Sequence, residues 1–314
     1  MGGVAASELA SRFGAGFRQP TKFPAFFWRK FRETFLWQRR YARLREPKTT
    51  ALTQNAETDR QLIAELREAG FRLLDYSVDV EDYRAYARYA RYNQFPNYYR
   101  GGRSPDFVSK SLQHYLAAQL LSLGPDDVYI DVASGDSPAP EIYQSLYECR
   151  VYRQDLRYPR GIRGNRIGGN ATAMPVENGF ATKIGLHCSF EHFEGAADIE
   201  FMREATRVLK PGGKVCIIPL YLYPQYTIVT DPVALPRQGI AFEDDAVLYC
   251  WKGYGNRHGR LYSVTKLASR IRDNLNGMEL TVYFLANRAE FSIHCNVRFA
   301  AVMERKSEPI EQGI

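Results

Sequence analysis

The run Val128-Tyr-Ile-Asp-Val-Ala-Ser-Gly-Asp-Ser-Pro138 passes from an apolar stretch through the acid Asp131 into a turn of small residues, after which Pro138 and Pro140 open a helix. A small-residue turn at the carboxyl end of a strand lets the backbone approach a nucleotide closely. A pyrophosphate would call for G-x-G-x-x-G, whereas this turn alternates Ala133, Gly135 and Ser137 beside the acid Asp136. The extra carboxylate suits a cationic ligand better. Proton acceptors are few, because the chain has five histidines. His187 and His192 flank the end of one expected strand, and His258 lies beside Asn256 and Arg257 in a long connection; near an ordinary pKa of about 6.5, such side chains accept a proton at neutral pH. For His192 a hydrogen bond with Glu191, capping the following helix, is an equal alternative to catalysis. His114 and His294 read as structural. No His, Asp or Glu spacing suggests a metal site.

These groups need a scaffold, and from residue 127 the pattern alternates strands and helices, which is the signature of a parallel sheet with helices on both faces. Strands are expected near 127–132, 149–155, 182–188, 214–220, 279–286 and 293–304, and helices near 138–147, 197–209 and 263–275. Before them, Thr58-x-x-Gln61 resembles a capping box for a helix that Gly70 closes, and residues 71–76 form a strand. A helix starting near Asp79 carries Tyr83, Tyr86, Tyr89 and Tyr92 at a spacing of three, which reads as a packing face. Ser104 as N-cap and Pro105 at the first position open a further helix to about Leu123. Residues 221–262 interrupt the alternation after the fifth strand, and a connection of that length is usually functional. Tyr221, Tyr223, Tyr226, Asp244, Asp245 and Trp251 are its candidate lid residues. Aromatic and acidic groups together suit a hydroxylated acceptor, and equally a dimer interface.

The segment 128–138 resembles motif I of class I S-adenosylmethionine-dependent methyltransferases, in which an acid is followed by alternating glycines. Asp131 matches the acid and Gly135 keeps a glycine; Ala133 and Ser137 replace the others. The resemblance implies a cofactor site built from Asp131, Ala133, Ser134, Gly135 and Asp136, with Asp155 and Leu156 at the ribose. Asn170-Ala-Thr-Ala-Met-Pro-Val-Glu-Asn-Gly-Phe180 is similar to the family's D-A-x-x-L-P-F run, one residue shorter, which places Asn170 and Ala171 at the adenine. There an Asn amide can both donate and accept. His187-Cys-Ser-Phe-Glu-His-Phe193 is similar to the L-E-H-x element of the subgroup that includes ubiquinone and menaquinone biosynthesis enzymes. Arg207-Val-Leu-Lys-Pro-Gly-Gly213 is the most specific match, with Lys210, Pro211 and the glycines ending a helix and turning into a strand. By the same resemblance Tyr98, Tyr99, Arg103 and Lys110 close over the methionine end of the cofactor, although solvated charge at a helix start serves equally for Lys110.

The expected architecture is therefore α/β, a Rossmann-like methyltransferase sheet with helices on both faces, plus a helical N-terminal extension and an insertion after the fifth strand. Residues 1–100 form the extension, 101–306 the methyltransferase domain with 221–262 as insertion, and 307–314 a tail. The implied activity belongs to the EC 2.1.1 class: S-adenosyl-L-methionine serves as cofactor for O-methylation of a small-molecule, glycan or lipid-linked acceptor. His192, His258 and His187 are the catalytic candidates, with His187 also at the cofactor, and Tyr221, Tyr223, Arg257 and His258 are the substrate candidates. The rival reading is a catalytically silent relative that binds a partner or a membrane, motivated by Ala133, Ser137, Asn170 and Ala181 at motif positions.

Net charge is +7, yet residues 1–48 alone hold 11 basic and 3 acidic residues, interleaved with 10 aromatics. Phe27, Phe31 and Phe35 would make one helical stripe. Internal packing or partner docking is the first reading of this arm, and peripheral membrane contact through residues 22–45 the second. Nucleic acid is disfavoured as a partner: no D/N-P-P-[FYW] element stands at the fourth strand, and the remaining chain has a net charge of −1. The missing G-x-G-x-x-G argues against a nicotinamide-dependent oxidoreductase. Five cysteines, odd in number and irregularly spaced, indicate a reducing, cytoplasmic setting with surface membrane association left open.

Overall fold

Burial along β2 (Val128–Val132) sets the layering. Tyr129 packs with one apolar cluster, while Ile130 and Val132 pack with another. Alternate residues of a strand face opposite sides, so two separate cores sandwich the sheet. In the computed structural model, which describes residues 54–231, 234, 242–251, 253–291 and 295–307 together with Trp28 and Phe35, nine strands form one sheet in the order β1-β11-β12-β7-β6-β2-β3-β5-β4. These are β1 (Arg72–Tyr76), β2, β3 (Arg150–Asp155), β4 (Gly161–Arg163), β5 (Arg166–Gly168), β6 (Ala181–His187), β7 (Leu209–Ile218), β11 (Met278–Leu285) and β12 (Phe299–Arg305). Strands β5, β3, β2, β6 and β7 run parallel, and β12 lies antiparallel between β7 and β11. This is the expected α/β sheet with helices on both faces. One face is covered by α1 (Ala56–Glu68), α5 (Ala197–Val208) and α6 (Val264–Arg270), through Leu62, Leu66, Phe201, Met202 and Leu267. The other is covered by α2 (Val80–Tyr89), α3 (Phe107–Leu121) and α4 (Ala139–Tyr147), through Tyr83, Tyr86, Leu112, Leu116 and Tyr143.

Several boundaries differ from expectation for local reasons. Asn55, not Thr58, caps α1, its side chain accepting from the Thr58 amide at 2.8 Å. Helix α3 begins at Phe107, two residues beyond Pro105. Tyr89 is exposed, whereas the other three tyrosines of its row are buried. The strand at 71–76 is not isolated: β1 pairs in parallel with β11 at the sheet edge. The insertion has order of its own, a small sheet β10-β8-β9 made of β8 (Thr227–Thr230), β9 (Val247–Cys250) and β10 (Gly259–Leu261). The basic arm lies outside the described residues, and so does His294; Trp28 and Phe35 alone are seen, helical and exposed. No helix among the described residues is long and apolar enough to cross a membrane.

Candidate active site

Strand order reverses at β2, whose neighbours are β3 and β6, and ligands of open parallel sheets bind beyond the strand ends at such a point. A crevice of about 430 Å³ lies there, lined by Ala133, Gln154, Asp155, Leu156, Asn170, Ala171, His192, Phe193, Glu194, Ala197 and Arg257. That volume is in the range of small-molecule sites. Seven residues expected in the site are therefore brought together: Ala133, Asp155, Leu156, Asn170, Ala171, His192 and Arg257.

Part-buried hydrogen bonds fix the turn after β2. The Asp155 carboxylate accepts from the Gly135 amide at 2.9 Å and from the Arg157 amide at 2.8 Å. The Gln154 side chain accepts from the Ala133 amide at 3.1 Å and donates to the Gly169 carbonyl at 2.6 Å. Gly135 has φ +53° and Ala133 φ +51°, a region where glycine is at ease and alanine is not. Asp131 lies beneath the turn rather than in it, accepting from Ser134 Oγ at 2.7 Å and Tyr129 Oη at 3.2 Å. Burial pushes its pKa up to about 7, against the opposing pull of Ser134 and Arg153. Asp136 is exposed and meets Arg157 at 3.4 Å. Leu156 is 74% exposed at the crevice rim, an apolar side chain that a flat aromatic ring would cover.

The three candidate histidines part company. His187 is a packed side chain, 5% exposed, with Nε2 3.1 Å from Tyr129 Oη; burial and the Lys110 charge press its pKa down to about 3. Gly185 makes this arrangement possible, since a Cβ there would overlap the Tyr129 ring. His258 is buried at 1% exposure, its pKa lowered to about 4 by burial and by Arg260. It reaches the site through its backbone: its carbonyl accepts from His192 Nδ1 at 2.6 Å. A carbonyl cannot donate, so His192 carries a proton on Nδ1, and in the neutral ring Nε2 is the acceptor. His192 is one-third exposed and lines the crevice. Glu191 does not cap the next helix, because α5 has no side-chain cap.

Beyond β6, Lys110 Nζ lies 2.8 Å from Cys188 Sγ and over the Tyr99 ring, and Cys188 also meets Gln113 and Tyr221. Cys188 holds φ +49°. Tyr98 Oη and Tyr92 Oη bond the two nitrogens of the buried His114. Tyr221 faces this cluster, while Tyr223 turns away from the crevice toward Gln54 and Arg298. In the insertion, Trp251 stacks on Tyr254, Tyr226 accepts from Arg260, and Asp245 pairs with Lys266 at 2.5 Å.

Sequence reasoning missed Gln154, Phe193, Glu194 and Arg260. The last is fully buried, bonding Asp198, Glu243 and the carbonyls of Phe193 and Gly195, and so ties the small sheet to the crevice wall. An arginine within a short apolar strand, Gly259–Leu261, was the available signal.

Residues 130–217 match the family described as "Methyltransferase domain". Similar solved structures include a 1,6-didemethyltoxoflavin-N1-methyltransferase from Burkholderia thailandensis with bound S-adenosylhomocysteine, at 13% identity, 74% of this chain and 92% of that one covered, and a TM-score of 0.41. The PH0226 protein of Pyrococcus horikoshii OT3 aligns at 16% identity over 73% and 100%, TM-score 0.43. A geranyl diphosphate C-methyltransferase from Streptomyces coelicolor A3(2) aligns at 15% over 71% and 96%, TM-score 0.38. No curated protein matches the sequence.

Proposed function

The chain carries a class I S-adenosylmethionine-dependent methyltransferase domain, and from that premise we propose that it methylates an oxygen of a small-molecule, glycan or lipid-linked acceptor, with His192 receiving the acceptor's proton. The observation that carries this reading is the His192 tautomer: Nδ1 is committed to the His258 carbonyl at 2.6 Å, which leaves Nε2 as a proton acceptor on the crevice wall. When bound, the cofactor supplies a methyl group activated on sulfur. Asp155 would take the ribose hydroxyls, Asn170 and Ala171 the adenine under Leu156, and the turn 133–135 the methionine portion. Displacement at carbon needs donor and acceptor in line. The wall formed by the insertion, with Glu194 paired to Arg257 at 2.5 Å, would hold the acceptor against that line.

Calorimetric titration with S-adenosylmethionine, S-adenosylhomocysteine and NAD, repeated on Asp155→Ala, tests the cofactor half. The adenosyl ligands are expected to bind and to lose about 1.5–3 kcal/mol in the variant, the worth of a charge-assisted hydrogen bond. Binding of NAD alone would overturn the reading. An acceptor screen then compares wild type with His192→Ala, and full methylation by the variant removes the base assignment.

One observation favours a silent relative instead. Both Asp155 oxygens already accept from this chain, at Gly135 and at Arg157, and Ala133 occupies a glycine conformation. Failure of every adenosyl ligand to bind would decide for it.

A further inference from the structure

A carboxylate inside a protein is costly unless it is paired, and Glu191 is 7% exposed. It sits on the single 3-10 turn Phe190–His192 that follows β6. Its Oε2 has no hydrogen-bond partner among the described residues. Its Oε1 stands 3.8 Å from His192 Nε2, beyond hydrogen-bond reach. Because Nδ1 of that ring is pinned to the His258 carbonyl, Nε2 of the neutral ring and the carboxylate face each other across a gap that one proton would turn into an ion pair. Helix capping does not account for Glu191, since α5 begins six residues later without a side-chain cap.

We propose that Glu191 is a positioning residue for methyl transfer, acting through His192: it sets the imidazole so that the acceptor's proton arrives at Nε2 opposite a counter-charge. This role rests on the O-methylation reading given above. In the step, the acceptor oxygen bonds to the methyl carbon, the carbon–sulfur bond breaks with its electrons left on sulfur, and the hydroxyl proton passes to Nε2. The products are a neutral ether, a neutral thioether and an imidazolium–carboxylate pair. Lys110 from α3, Cys188 from the end of β6, Tyr221 beyond β7, and Tyr254 and His258 from the insertion also face the couple. Among these Lys110 is the cation, and it is drawn to Cys188 Sγ at 2.8 Å. Burial raises the Glu191 pKa, with His192, the residue's own backbone amide and then Lys110 acting against it.

Nitrogen-15 NMR of histidine-labelled protein at pH 6.5 reads the ratio of protonated to neutral His192 without needing an acceptor. Glu191→Gln is expected to lower that ratio about tenfold, the equivalent of one pH unit, while its melting temperature and its affinity for S-adenosylhomocysteine hold. In the wild-type protein, S-adenosylmethionine should give a ratio several-fold lower than S-adenosylhomocysteine, because its sulfonium charge would lie across from Nε2. An unchanged ratio in Glu191→Gln overturns the role, and so do equal ratios in the two wild-type complexes, a comparison that holds even if the variant does not fold. If both ligands bind and only the Glu191→Gln shift is missing, only the Glu191 role falls; if the two wild-type complexes also give equal ratios, the His192 base assignment falls with it. If neither binds in calorimetry, the methyl-transfer reading falls with it.

Discussion

The two walls of the crevice are built on opposite principles. On the β2–β3 side, short-range hydrogen bonds of Gln154 and Asp155 to backbone groups about twenty residues away hold the turn. On the insertion side, Arg260 meets Asp198 at 2.9 Å and Arg270 meets it at 2.6 Å, with all three side chains largely withdrawn from water. The first kind of wall can lose one contact and keep its shape. The second depends on mutual neutralisation of buried charges, and loss of one partner strands the others.

Asp198→Ala should therefore give the largest effect, about 3–5 kcal/mol of destabilisation in urea unfolding, because two buried guanidiniums lose their shared carboxylate. A cost below about 1 kcal/mol would erase the contrast between the walls. His187 provides a sharper probe beneath the turn. Its folded-state pKa of about 3 lies below the ordinary 6.5, so its contribution to stability is complete above pH 6.5 and is lost as pH falls toward 3. In His187→Gln the loss between pH 6.5 and 5 should shrink by roughly 2 kcal/mol, read from urea midpoints at the two pH values. The smallest effect is expected at Arg257→Gln. Its ion pair with Glu194 is about one-third exposed on both sides, and such pairs are worth at most about 1 kcal/mol, so thermal unfolding should barely move.

Much of the parallel sheet was legible because each strand announces itself locally, as in Tyr129 to Val132 or Val215 to Ile218. The motif residues Ala133, Asp155, Asn170 and His192 were legible for the same reason: fixed turns deliver them to the strand ends. What escaped depends on distant pairing. Strands β8 and β9 pair in parallel although 16 residues separate Thr230 from Val247. Nothing near Arg260 in sequence names Asp198 or Glu243. Glu191 was misassigned because adjacency to a helix suggests a cap, whereas the backbone turns at Cys188 and directs the carboxylate inward. The expectation that His258 offers a free base failed because its surroundings are set by β10 and the turn 190–192, which only the folded chain brings together.

The pairing of β1 with β11 carries a consequence for how the molecule is made. Arg72 to Tyr76 find their partners at Thr281 to Leu285, roughly two hundred residues later in synthesis. Strand β1 must wait, with Leu62 and Leu66 of the preceding helix, until β11 has followed. Any premature stop before residue 278 would release a protein whose β1 lacks the strand it pairs with.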